Sequence, residues 1–408
     1  MSIYVYNNGN STEGTQVQNF YSRIARRTID QTFNFAKFAN AKDMMNQNSG
    51  DTFKTSAYYW SIYRDVVDSS GNYTGVKGGY IAERDMAKIQ DNLNKMQLTS
   101  EGTVNKNDIY ALGTFRKVTF TTQMKKFAGL VELTEDIEKY SEDSIRALTV
   151  EDVTLQMNDA YNSLMMNDLQ NSSFKVYGGD ATSRDELGGT DDTTSRTYEM
   201  TEALTVQLFS ALVQNKAKPM SKIISGQNRI GTTPIPESFY VIVGADIYGA
   251  LINKDLYSNF VSVDEYADPS VRLKMDGIEE IGKLGRFRIC YAETMTSYPH
   301  QGHKVGDGSA PSQYCYSSLD PNDTDSAGNE KYHYDAYPAI VMAKDAISTV
   351  GLQGNTKHII YTRWPDVIDN GNPIGERGYV AFKFRYASVI TRPEQLAVME
   401  ITCPIPNA

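Results

Sequence analysis

The chain has 408 residues, room for roughly two or three domains, and its 40% hydrophobic and 22% charged residues are ordinary for a folded protein. A formal net charge of −10 argues against tight, non-specific wrapping of nucleic acid. No apolar run approaches the ~18 residues of a membrane helix, and the longest candidate, FYVIVGADIYGALI, is broken by Asp246.

The first residues, MSIYVYNNGNSTEGTQ, lack a charged-then-apolar leader pattern, so the mature chain is expected to start near residue 1 and to be made in the cytoplasm. Residues 1–50 read as an arm, with a helix over 19–45 that scatters Phe33, Phe35 and Phe38 too irregularly to close a domain alone. Its basic residues, Arg23, Arg26, Arg27, Lys37 and Lys42, suit a solvated helix face better than a nucleic-acid contact. Residues 51–128 read as two long strands separated by an elaborated tip. FKTSAYYWSIYRDVV is aromatic and β-branched, and on the return Val118, Phe120 and Met124 alternate with Thr119, Thr121 and Gln123. Between them, a glycine-rich turn precedes a helix whose Ala82, Met86, Ile89, Leu93 and Met96 form one stripe. Such an excursion has few places to bury apolar groups within its own subunit.

Residues 134–170 predict a long amphipathic helix. Thr134 is its N-cap, acidic residues follow in the first turn, and a restart is expected near Ser141. Val150, Val153, Met157, Ala160, Tyr161, Leu164 and Met165 form its apolar face, with Asp152, Gln156, Asp159 and Asn162 opposite. Residues 171–197 read as a polar loop or hairpin, followed by a helix carrying Leu204, Leu208, Ala211 and Leu212 on one side. SFYVIVG predicts a strand, ADIYGALINKDLY a short helix and GRFRICYAE a further strand. Residues 296–335, rich in Gly, Ser, Asp and Pro, read as an insertion or a functional surface loop. AIVMAKDAISTVGL restores strand patterning, and 375–401 reads as a closing hairpin. Val380, Phe382, Phe384 and Tyr386 lie on one side of its first strand and Ala381, Lys383 and Arg385 on the other. No internal repeat is visible.

Little of this points to catalysis or to a cofactor. The chain lacks GxxxxGK[ST], HExxH and GxSxG. His300 and His303, three apart beside Asp307, would be the residues of a metal-dependent enzyme, but a Gly-rich loop supports a metal poorly. From Asp323 a calcium-loop pattern finds Asp325 and Gly328, yet Ala327 holds the fifth position and Tyr334 the twelfth, where a bidentate Glu is needed. Asp191 and Asp192 are adjacent and form no carboxylate dyad. Cys290, Cys315 and Cys403 lie far apart and are expected to be free, buried thiols. Lys383 and Arg385 suit a solvated face or an ion-pair surface between subunits. The 27 tyrosines suit sheets and protein–protein interfaces.

The ordered set of segments resembles the tailed-bacteriophage major capsid proteins of the Hong Kong 97 shell fold, and within them the group typified by the N-four coliphage capsid protein. LTSEG (98–102) resembles that group's extended-loop segment, and MKKFAGLVELTEDIEKYSED (124–143) its strand running into the long spine helix. SFYVIVGADIYGAL (238–251) and EEIGKLGRFRICYAE (279–293) resemble parts of the axial domain. AIVMAKDAISTVGL (339–352) and KFRYASVITRPEQLAVME resemble the closing strands of the peripheral domain. The tip at 68–97, with its own helix, and the stretch 296–335 depart from the group's pattern.

The resemblance implies an α+β fold in five parts. These are an N-terminal arm (1–50), an extended loop (51–130), the spine helix of a peripheral domain (131–172), an axial domain (173–338, with the insertion 296–335) and closing peripheral strands (339–408). It also implies self-assembly, in hexamers and pentamers, into an icosahedral shell around double-stranded DNA, with residence in the virion and no active site. Arg23, Arg26, Phe33, Phe35, Tyr73, Tyr80, Met86, Ile89, Leu93, Lys383 and Arg385 are then candidate contacts between subunits. Scaffold, portal and decoration proteins are candidate partners, and any scaffold is expected to be a separate protein. An encapsulin-like compartment shell, which shares the fold, is the nearest alternative.

Overall fold

The computed structural model describes residues 35–45, 50–59, 116–141, 145–189, 198–220, 237–251, 260–263, 274–275, 278–292, 295–352, 359–368 and 372–405. After a 3-10 turn, Phe35–Phe38, come strands β1 (Asn40–Met45), β2 (Thr52–Tyr59), β3 (Arg116–Gln123) and β4 (Lys125–Thr134). Helices α1 (Glu135–Tyr140) and α2 (Ile145–Gln170) follow, then β5 (Phe174–Tyr177), α3 (Glu202–Gln214), β6 (Phe239–Gly244) and α4 (Ala245–Leu251). The next strands are β7 (Phe260–Ser262), β8 (Lys274–Met275), β9 (Ile278–Leu284) and β10 (Phe287–Ala292). The chain then runs through β11 (Ser317–Thr324), β12 (Glu330–Tyr334), β13 (Tyr337–Met342) and β14 (Ile347–Leu352). It finishes with β15 (Ile359–Arg363), β16 (Arg377–Tyr386), β17 (Ser388–Ile390) and β18 (Leu396–Ile401).

An eight-stranded mixed sheet forms the centre, in the order β5-β18-β13-β6-β10-β9-β7, with β8 paired to β9. Its middle strands are apolar along nearly their whole length: YPAIVM in β13 and LAVMEI in β18 are buried at every position. Such runs belong to strands covered on both faces. On one face, α3 packs Leu204, Leu208, Ala211 and Leu212 against Val241, Val243, Ile289, Ala339 and Val341. On the other, α2 packs Met157, Met165, Met166 and Leu169 into the cluster of Ile242, Cys290, Ile340, Met342 and Leu396.

The same long helix covers a second, three-stranded sheet in the order β15-β16-β4. Here the pattern alternates. Leu133, Val380 and Phe384 are buried, and Val153 of α2 packs with Leu133 and Val380. Pairing of β16 with β4 sets Phe382 opposite Gly129. A Cβ on Gly129 would come within 2.4 Å of the Phe382 ring, so a side chain there would force the ring to shift. α1 starts as expected, with the Thr134 hydroxyl accepting a bond from the Ile137 N–H and Glu135, Asp136 and Glu138 in the first turn. It ends at Ser141, where the backbone is extended, before α2 begins at Ile145.

Several expectations are corrected. Residues 40–45 are a strand and not the end of a helix, because parallel pairing with β14 takes their backbone groups. Phe35 is fully buried and Phe38 nearly so, against α2 of their own chain, so Phe35 is removed from the candidate contacts between subunits. The closing segment is not a hairpin: β16 joins β15 and β4, β17 joins β14, and β18 joins β13 and β5. Pro393, lacking an N–H, opens a 3-10 turn that redirects the chain before β18.

AIVMAKDAISTVGL likewise divides between two sheets, as β13 and β14. Strands β13 and β18, assigned to the closing peripheral part, are central strands of the sheet that holds β6 and β10, so a boundary at 338/339 does not separate two sheets. Within 171–189, residues 174–177 form β5, parallel to β18. The stretch 296–335 is folded: β11 and β12 pair, and bridges tie Tyr298 to Ala336, Lys304 to His333 and Cys315 to Pro404. Asn162, placed on the polar side of the helix, is buried.

Candidate assembly surface

Two surfaces stand out. The first is the antiparallel ribbon of β2 and β3, paired without a break from Thr52↔Gln123 to Tyr59↔Arg116. Its alternation follows the sequence: Lys117, Thr119, Thr121 and Gln123 are exposed, whereas Val118 is buried. The root of the ribbon packs on its own subunit, with Phe53, Phe120 and Met124 against Val350, Ala387 and Val389. The expectation that this excursion finds little cover at home therefore fails at the root. Residues 60–115, the tip, lie outside the described residues, and with them Tyr73, Tyr80, Met86, Ile89 and Leu93. Arg23, Arg26 and Phe33 also lie outside them, as do Asp191 and Asp192.

The second surface is the side of the β15-β16-β4 sheet turned away from α2. Register aligns Tyr361, Ala381 and Leu130 in one row across the three strands, and Arg363, Tyr379 and Glu132 in the next. Lys383 pairs with Ala128 and Arg385 with Lys126 on the same side. Leu130 is 63% exposed and Tyr361 nearly half exposed. The Lys383 ammonium lies 5.6 Å from the Tyr361 ring centroid, and the Arg363 guanidinium 5.9 Å from that of Tyr379. Lys383 and Arg385 thus sit where the period of two puts them, on a face that also carries Tyr361, Tyr379 and Arg363; tyrosine and arginine are enriched at interfaces, lysine is not. The row of Tyr361 and Leu130 went unremarked from sequence; register across three strands is what brings them together.

The residues singled out for chemistry that lie among the described ones take part in local structure. The His303 ring nitrogen Nδ1 lies 2.9 Å from its neighbour's carbonyl at Lys304, and the His300 N–H donates to Asp335. Among the described residues, no group of three or more His, Cys, Asp or Glu is placed to hold a metal ion. Asp325 accepts from the Ala327 and Asn329 N–H groups and from the Asn329 amide, closing a tight turn at the tip of the β11–β12 hairpin. These bonds hold the Asp325 carboxyl below its usual range. Cys290, Cys315 and Cys403 are free and buried, as expected, and desolvation pushes the Cys290 and Cys403 thiols up.

Two buried ion groups fasten the large sheet. Arg288 on β10 donates through Nε and Nη2 to both carboxylate oxygens of Glu280 on β9, and through Nη1 to the Tyr240 hydroxyl at 3.2 Å. Glu400 on β18 accepts from Arg184 at 2.7 Å and from Lys175 at 3.0 Å, with the Arg184 guanidinium 3.7 Å from the Tyr298 ring centroid. Burial alone would raise the Glu400 pKa, but the bonds from Arg184 and Lys175 outweigh it and leave it lowered.

No family model matches the chain. Over 346 residues it is 28% identical to the major capsid protein of Pseudomonas phage KPP21, an alignment spanning 82% of this chain and 78% of that protein. Among solved structures, the capsid of Ralstonia phage GP4 is similar over 100% of both chains, with a TM-score of 0.57 at 11% identity. The acidic stable capsid of Helicobacter pylori bacteriophage KHP30 aligns with 98% of this chain and 100% of its own, with a TM-score of 0.50 at 9% identity. At these identities the structural matches establish a shared fold.

Proposed function

We infer that this chain is the major capsid protein of a tailed phage, a structural subunit that builds the shell of the virion. The observation that carries this reading is sequence identity of 28% with a phage major capsid protein along 82% of the chain. The full-length match in fold to a phage capsid supports it, as do two extended surfaces, the β2–β3 ribbon and the outer side of the β15-β16-β4 sheet. The relatives do not favour the compartment-shell or metal-enzyme alternatives.

In the finer reading, the fold is of the Hong Kong 97 type, nearest the N-four-like group, and copies assemble in the host cytoplasm as hexamers and pentamers. Large-area burial between identical chains, repeated on a closed lattice, drives that assembly. Arg23, Arg26, Phe33, Tyr73, Tyr80, Met86, Ile89, Leu93, Lys383 and Arg385 are the proposed contacts between copies. Scaffold, portal and decoration proteins are the proposed partners. A chain of net charge −10 would enclose double-stranded DNA without gripping it.

Negative-stain microscopy of the expressed protein tests the reading. Uniform polyhedral shells are expected, alone or with a co-expressed scaffold from the same genome. Persistent monomers under both conditions overturn it. Strong DNA binding by isolated subunits at physiological salt would overturn the enclosing role alone.

A further inference from the structure

The insertion 296–335 is fastened firmly at its base and lightly at its outer end. At the base, Arg184 donates to Glu400 of the large sheet and to Gln301, and bridges tie Tyr298 to Ala336 and Cys315 to Pro404. Farther out, β12 lies along the loop 302–308. The Gly302 N–H donates to the Tyr334 carbonyl, that of Val305 to Tyr332, that of Tyr332 to Gly308 and that of Tyr334 to His303. The buried cluster beneath is small, Val305, Cys315 and Tyr334, and residues 324–330 at the hairpin tip are exposed. With little apolar burial to hold this part closed, one polar side-chain contact weighs heavily in its local stability.

His333 supplies that contact. Its half-buried ring, on β12, meets an oxygen at each nitrogen. Nδ1 lies 3.1 Å from the Gly302 carbonyl oxygen, and Nε2 lies 3.1 Å from Oδ2 of Asp323 on β11. Oδ2 of Asp320, also on β11, is 4.0 Å from Nε2. A carbonyl and an ionised carboxylate can only accept. The neutral imidazole has one N–H, so it bonds one of the two and turns a lone pair toward the other. The imidazolium has two, bonds both, and sets its charge against a carboxylate. The ring therefore joins β12 to the loop and to β11 together in one protonation state only.

The groups around the ring decide which of them changes. Asp323 also meets the Lys331 ammonium at 3.4 Å. The bond from His333, with a smaller one from Lys331, holds the Asp323 carboxyl below its usual range, so it stays ionised while the ring titrates. Lys304 stands across from His333 on the loop, and His303 beside it turns its own Nδ1 to the Lys304 carbonyl at 2.9 Å. Asp335, just past β12, accepts from the His300 N–H and the Ser318 hydroxyl.

We propose that His333 is a proton-operated pin: its imidazolium ties β12 to the 302–308 loop and to Asp323, and loss of the proton releases one tie and loosens the outer half of the insertion. A cation that gains partners on folding adds stability at acid pH, and that stability is lost as pH rises through the titration of the ring. The device belongs to the single subunit and does not depend on the capsid reading.

Hydrogen exchange of the full-length, unassembled chain tests it, read at the amides of Gly302, Val305, Tyr332 and Tyr334. Wild type is compared with His333→Gln at each pH, so that the intrinsic pH dependence of exchange cancels in the ratio. At about pH 5.5 the variant is expected to exchange roughly tenfold faster, the scale of one hydrogen bond to a charged group. At about pH 8.5, above the range in which imidazole ordinarily titrates, the ratio should fall toward one. A ratio that does not change with pH overturns the proposal, as does a ratio that rises with pH.

Asp323→Asn repeats the test from the other side of the bond, and keeps it decisive should His333→Gln fail to fold. The same fall in ratio is expected, and a constant ratio overturns the proposal. His303→Gln is expected to keep the wild-type dependence on pH. Loss of that dependence there would transfer the effect to His303 and overturn the role of His333.

Discussion

The two sheets that share helix α2 spend their faces differently. In the eight-stranded sheet both faces are covered by the chain itself, α3 on one side and α2 on the other. Among the described residues, the β15-β16-β4 sheet is covered on its α2 side, and Leu130, Tyr361, Lys383 and Arg385 face the other way. The sequences differ accordingly. β13 and β18 are almost continuously apolar, whereas β16 alternates, as one-sided strands do. The large sheet is a fold problem solved within one subunit; for the small sheet we propose that a neighbouring copy supplies the other half. If that is right, substitutions in the first should cost stability, and substitutions on the outer side of the second should cost assembly alone.

The largest effect is expected at the buried ion pair. Glu280→Gln removes the carboxylate charge that faces the buried Arg288 guanidinium; breaking a buried pair from one side typically costs about 3–5 kcal/mol. The urea unfolding midpoint of the subunit reports it. Replacing both partners, Glu280→Leu with Arg288→Met, is expected to recover most of that loss, since no unpaired charge is left behind. A single variant as stable as wild type would show that the pair is not buried in solution.

Next is Phe384, where the two sheets meet across α2. Its ring stacks on Phe127 at 5.4 Å and meets Tyr161 edge-on at 5.8 Å. It belongs to the same buried cluster as Ile340 and Leu396 of the large sheet. Phe384→Ala is expected to cost about 3–5 kcal/mol by transfer and cavity together. A loss below about 1 kcal/mol, on the scale of a surface change, would mean that the small sheet is not packed on the body.

Glu400 sharpens the comparison by pH. Its folded pKa lies below the ordinary value of 4.5 because the bonds from Arg184 and Lys175 outweigh its burial. A depressed pKa adds stability that is fully present above the unfolded value and is lost as pH falls through the folded one. Stability of the wild-type subunit should therefore decline as pH drops below about 4.5, and part of that decline should vanish in Glu400→Gln, which is less stable at neutral pH. Parallel pH–stability curves for the two chains would remove Glu400 from the acid response.

How much of this was legible follows from what each signal depends on. The helix from Thr134, the α3 stripe of Leu204, Leu208, Ala211 and Leu212, and the strand SFYVIVG are local patterns, and all three are present. Partner choice is not local. β16, β17 and β18 read as one hairpin because they are adjacent in sequence, yet each joins different strands. Residues 40–45 become a strand because β14 offers them a parallel edge, which no periodicity within NAKDMM announces. Phe35 looked unplaced because its cover, Met165 and Leu169, lies far along the chain on α2. Lys383 and Arg385 were correctly put on the open side by alternation alone, whereas Tyr361 and Leu130 join them only through cross-strand register.

The smallest effect on stability is the most informative about function. Leu130→Ser and Tyr361→Ser remove apolar surface that the subunit leaves largely in water at Leu130 and nearly half in water at Tyr361. Neither side chain belongs to a buried cluster among the described residues, so the unfolding free energy is expected to move by no more than about 0.5 kcal/mol. Any copy docked on that face would lose the burial each side chain supplies, roughly 1.5–3 kcal/mol for a full large apolar group. Repeated at every subunit of a shell, a loss of that size should raise the protein concentration needed for assembly at least several-fold. Sedimentation across a concentration series, with thermal melting of the same samples, separates the two quantities. A fall in melting temperature matching the loss of assembly would show that the outer side of the small sheet serves the subunit's own fold, and the contrast between the two sheets would be lost.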